Sequence, residues 1–78
     1  MLNSILEGLL KDCFKKEKNL GYFDYIAEDG DPVKQHLHEL EKLRFINRRT
    51  DWNLYFFEDG RFGEKATFEF LPRSDIYR

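Results

Sequence analysis

Pro32–Arg49 reads PVKQHLHELEKLRFINRR, the one stretch in which apolar spacing, a start signal and a stop signal agree. At about 100° per residue, Val33, Leu37, Leu40 and Arg44 line one face of a helix of roughly eleven residues, with His36 and Leu43 at its edge. Gln35, His38 and Lys42 fall on the other side at helical spacings and look outward, flanked by Lys34, Glu39 and Glu41. Asp31 stands where an N-cap belongs. Pro32 follows at a first helical position, where its missing N–H would have been unpaired anyway. The spacing predicts a helix with its leucines turned to a core and a polar side left bare.

Upstream, Asn3 and Ser4 are candidate N-caps, and Glu7 lies at the capping-box distance from Ser4. Leu2, Ile5, Leu6, Leu9, Leu10, Cys13 and Phe14 then share a broad arc, which predicts a first helix to about Lys18. Lys15, Lys16 and Lys18 would complement its C-terminal dipole. Leu20 to Asp31 suits two structures. Leu20, Tyr22 or Phe23, Ile26 and Ala27 fit a short helix, the preferred reading, while Tyr22, Phe23 and Tyr25 fit a strand. Asp29-Gly30-Asp31 closes the segment as a turn.

Downstream, Phe45 and Ile46 lead into a strand, and Trp52 to Phe57 is aromatic and strand-like. Asp59-Gly60 is a hairpin-turn signal. In the returning run Phe62, Glu64, Ala66, Phe68 and Phe70 share one parity. A two-residue turn would set Phe57 against Phe62 and strand Leu54 and Phe56 on the side of Lys65, so a longer loop or a bulge near Gly63 is expected. Leu71-Pro72 ends the ladder, giving a single domain over residues 1–72 with a C-terminal tail over 73–78.

Seventy-eight residues, 41% hydrophobic and 17% aromatic, suit one folded domain with a small core. A net charge of −2 exerts no global pull on nucleic acid or an anionic membrane. The distribution is uneven, however. Asp24, Glu28, Asp29 and Asp31 form an acidic patch, while residues 33–50 hold five Lys or Arg against two Glu. The single Cys13 excludes an internal disulfide and suits a reducing cytoplasm, and no run is long enough to span a membrane, so a cytoplasmic protein is expected. His36 and His38 point about 200° apart on a helix and cannot share one metal ion. Neither a nucleophile–base pairing nor a phosphate-cradling glycine loop is present, so no enzyme activity, metal or cofactor is expected.

FDYIAEDGDPVKQHLHELEKLRFINRR, followed by the Leu54–Phe70 hairpin, resembles the second helix, recognition helix and wing of winged helix-turn-helix domains. Val33, Leu37 and Leu40, the closing pair Phe45-Ile46 and the basic residues after it carry the likeness. Arg44 stands where such domains often place the glycine that ends the recognition helix. The resemblance implies an α+β, winged-helix-like fold: two to three N-terminal helices followed by a C-terminal antiparallel β-hairpin. It also implies a transcription regulator that binds duplex DNA, and a homodimer is expected because one such module contacts too few phosphates for useful affinity at physiological salt. Gln35, His38 and Lys42 would then approach base edges, with Lys34, Arg48 and Arg49 on phosphates and Arg61 and Lys65 on the wing. The acidic residues support a different reading, a protein-interaction module or small acidic inhibitor. In it Asp24, Glu28, Asp29 and Asp31 meet a basic protein partner, beside the aromatics Tyr22, Tyr25, Trp52 and Tyr55.

Overall fold

The computed structural model describes residues 2–78, apart from the side chain of Asn19. Helix α1 spans Ser4–Lys15, and Asn3 is its cap, the Asn3 side chain accepting from the Leu6 N–H at 2.9 Å. The helix stops short of Lys18, because Lys18 N–H bonds instead to the Tyr22 carbonyl at 2.7 Å. Its inner face is Leu6, Leu10 and Cys13, all buried, with Leu2 buried just ahead of the cap, whereas Ile5 of the expected arc is exposed.

The segment after α1 is a strand, β1 (Tyr22–Glu28), and the preferred helical reading of these residues is wrong. Alternation explains the outcome: Phe23 and Ala27 are buried on the helix side with Tyr25 half-buried between them, while Asp24, Ile26 and Glu28 face away. A period of two served both faces here, and a pairing strand was available. The residues that the winged-helix resemblance placed in a second helix are therefore extended.

Helix α2 (Val33–Lys42) follows, with Leu37 and Leu40 fully buried. Asp31 caps it as expected, its carboxylate accepting from the Val33 N–H at 2.9 Å. Arg44 is not on the inner face. It lies beyond the helix with φ 69° and is exposed. Phe45 N–H reaches back to the Leu40 carbonyl and Arg44 N–H to that of Glu41, each at 3.0 Å, which is the Schellman closure with arginine in the left-handed position glycine normally fills.

Strands β2 (Ile46–Arg48), β3 (Asn53–Phe56) and β4 (Phe62–Phe70) complete one antiparallel sheet. β4 is its centre. β1 pairs along one side of it, and β2 and β3 share the other, so the sheet is larger than a C-terminal hairpin and draws on a strand between the helices. Between β2 and β3 the Thr50 hydroxyl replaces a backbone acceptor, taking the Thr67 N–H at 3.0 Å. The hairpin turn is the longer loop: Phe57 N–H bonds to the Arg61 carbonyl at 2.8 Å, Gly60 sits at φ 90°, and Phe56 faces Phe62. The extra residue returns Leu54 and Phe56 to the parity of Phe62, Ala66 and Phe68, resolving the register conflict.

Residues 73–78 are not a loose tail. Pro72–Tyr77 form a 3-10 helix with Ser74 buried, and the Tyr77 hydroxyl accepts from the Leu2 N–H at 3.2 Å. Arg78 forks onto Glu17, its second nitrogen 2.9 Å from the carboxylate, and lies 4.7 Å above the Phe14 ring. Phe14, Phe70, Phe23 and Phe68 stack in succession beneath the helices, with centroids 4.4, 4.8 and 5.2 Å apart.

Two substitutions test this backbone. Arg44→Gly should stabilise the protein by about 1 kcal/mol, because a left-handed residue with a Cβ costs roughly that much. Gly63→Ala should destabilise it by about 1–3 kcal/mol, since a Cβ there would run into the Ala27 carbonyl and press on the Phe57 ring. Urea unfolding midpoints at constant slope measure both.

Candidate interaction site at the hairpin end

The sheet outruns its helices. At about 1.5 Å per residue the ten residues of α2 cover roughly 15 Å. The nine residues of β4 extend roughly 30 Å at about 3.4 Å each. The end of the sheet bearing the Phe57–Arg61 loop therefore has no helix over the face that elsewhere forms the core. Leu54, Phe56 and Phe62 lie on that uncovered part and are 62%, 68% and 57% exposed.

Around them the registers build a shallow groove. Ala27, Glu64 and Leu54 form one cross-strand row, and Phe62 with Phe56 the next. A recess of about 190 Å³ is lined by Ala27, Leu54, Phe62 and the Gly63 backbone, with Asp29 and Glu64 at its rim. Lys34 draws the Glu64 carboxylate aside, Nζ to Oε1 being 2.6 Å, and itself lies 4.7 Å over the Trp52 ring. On the reverse face Tyr55 and Phe57 meet edge to face at 5.2 Å, and Arg61 sits over Phe57.

Gln35, His38 and Lys42 do project from α2 into solvent, and His38 Nδ1 lies 4.0 Å from Glu41. The other residues expected on DNA are engaged within the chain. Besides Lys34, Arg48 faces Asp51 at 3.7 Å, Arg49 faces Glu69 at 3.2 Å, Lys65 faces Asp24 at 3.7 Å, and Arg61 holds both Asp59 and Glu28. They are also split between the two faces of the sheet, since Lys65 has the parity opposite to Ala66 and Phe68. Of the candidate cations only Lys42 has no ion-pair partner among the described residues.

The acidic patch is similarly divided. Asp24 accepts from the Thr67 hydroxyl at 2.6 Å and from Lys18 at 2.9 Å; the first of these, then the second, holds its carboxyl below the usual aspartate range. Glu28 faces Arg61, and Asp31 caps α2. Asp29 alone of the four has no hydrogen-bonding or ion-pair partner among the described residues. Tyr22, Tyr25, Trp52 and Tyr55 are half-buried, so the aromatics available to a visitor are Phe56 and Phe62. Sequence parity had placed Phe62 on the inner face, and so it is. What parity lacked was the length of the covering helices, though comparing the two spans would have exposed the overhang.

Burial pushes the Cys13 thiol up to about 12, so it is a neutral apolar side chain at ordinary pH. Among the described residues no group of three His, Cys, Asp or Glu is placed to hold a metal ion, and no helix is long and apolar enough to cross a membrane. Comparison with protein-family models, curated proteins and solved structures returns no match.

The Asp24 arrangement sets an acid limit. A carboxyl depressed in the folded state adds stability that is complete above its ordinary value of 3.8 and is lost as the pH falls below it. Asp24→Asn should therefore weaken the protein at pH 7, and its difference from wild type should shrink as the pH falls below 3.8, as read from urea midpoints across the series.

Proposed function

We propose that this protein is a non-enzymatic protein-binding domain whose contact surface is the uncovered end of its β-hairpin. The observation that carries this reading is the exposure of Leu54, Phe56 and Phe62 together on one face. Contiguous apolar side chains of this size are rarely left to water unless a partner covers them. Covering what remains exposed would contribute about 1–2 kcal/mol for each before the cost of association. Two phenylalanines with a leucine, ringed by charged groups, have the make-up of an interface centre with a polar rim.

The winged-helix reading, with duplex DNA as the ligand, has less behind it. It needs cations free to replace phosphate counterions, and nearly all of its candidates already face carboxylates. The outward trio Gln35, His38 and Lys42 is what speaks for it.

The test places a photo-crosslinking phenylalanine analogue at Phe56 or, as a control, at Lys11 on α1, and irradiates extracts of the source cells. A discrete adduct is expected from position 56 alone, and Leu54→Ser with Phe62→Ser should abolish it while costing about 1–2 kcal/mol of stability and leaving a cooperative urea transition. An adduct at twice the chain's mass would make the partner a second copy. Equal labelling from both positions would overturn the proposal, as would tight, salt-dependent retention of duplex DNA that the double variant leaves intact.

A further inference from the structure

Given a hairpin-end contact surface, the groove beside Phe62 carries information about what enters it. Leu54 and Phe62 give it apolar sides, and Ala27 with the Gly63 backbone lies between them. Its rim bears two carboxylates in different states. Glu64 is neutralised by Lys34 at 2.6 Å, whereas Asp29 has no partner among the described residues. Asp29 also borders the adjoining recess of about 320 Å³, where Arg61 is held by Glu28 and Asp59.

The charge around this end is lopsided. Glu28, Asp29, Glu58, Asp59 and Glu64 stand against Arg61 and Lys34, so the surroundings favour a cation. An aliphatic stem ending in a cation matches an apolar trough that opens onto one free carboxylate. A guanidinium fits better than an ammonium: it is planar, less strongly hydrated, and able to lie over the exposed Phe62 ring while donating to Asp29.

We infer that the groove receives an arginine side chain from an extended segment of a partner protein, with Leu54 and Phe62 gripping the stem and Asp29 accepting from the guanidinium. This inference rests on the hairpin end being the contact surface, and it assigns the chemistry of what binds. Flanking apolar residues of the same segment would reach Phe56, next to Phe62 in the register.

The probe is the peptide acetyl-Gly-Leu-Arg-Leu-Gly-amide, titrated into isotope-labelled protein and followed by amide shifts, with a citrulline version as the uncharged isostere. The arginine peptide should give saturable shifts clustered at Ala27, Asp29, Phe62 and Gly63, and bind about tenfold more tightly than the citrulline peptide. Asp29→Asn, an exposed turn position, should remove that preference while leaving the remaining spectrum in place. Equal binding of the two peptides to wild type, lost with Leu54→Ser, would overturn the arginine assignment and leave the hairpin-end surface standing. Absence of saturable shifts up to about 10 mM, or shifts centred on α2, would overturn the assignment as well, and the crosslinking result would then decide the surface independently.

Discussion

Everything in this molecule leans on β4. It is the one strand that hydrogen-bonds to all the others, and its Ala66 and Phe68 form the floor on which both helices rest. Phe68 stacks with Phe23 from β1 and meets Trp52 edge-on at 5.8 Å, so one side chain joins both flanks of the sheet. Because the strand is longer than the helices that cover it, the same element makes the core at one end and leaves apolar surface bare at the other. Core and candidate contact surface are thus two ends of a single stripe, separated by where the helices stop.

The charged residues act largely within the chain. Ion pairs join neighbouring strands and tie α2 to β4, and each is worth little alone at exposed positions. Their collective effect is to remove free charge from most of the surface. Asp29 is one of the carboxylates left without a partner among the described residues, with Glu39 and Glu58, and it is the one at the rim of the hairpin-end groove. Arg78 adds a different kind of tie, lying across Phe14 and Phe70 while its fork meets Glu17, so that the final 3-10 helix closes over the aromatic stack.

Where local pattern and tertiary need coincide, the sequence was readable. The α2 stripe of Leu37 and Leu40, the Asp31 cap and the Phe62–Phe70 alternation all appear as spacing predicts. Even the loop length followed from the demand that Leu54 and Phe56 rejoin the inner parity. β1 was ambiguous because aromatic residues suit both a strand and a short helix, and its strand partner lies some forty residues away. Arg44 was misplaced since helical projection has no way to register a left-handed exit, which here is imposed by burying Phe45 and Ile46. The candidate surface was hidden for another reason. Exposure of Leu54, Phe56 and Phe62 depends on relative element lengths, a property of the assembled layers and not of any window of residues.

The chain order gives this architecture a schedule. As residues are added from the N-terminus, α1, β1 and α2 all emerge before the strand that unites them, and Tyr22 must wait for Glu69 before its pairing can form. Until then the nascent segment can build helices but no sheet, with Phe23 and its neighbours unshielded. Pairing of β1 is therefore a late event that must close a loop of more than thirty residues, between Glu28 and Gly63.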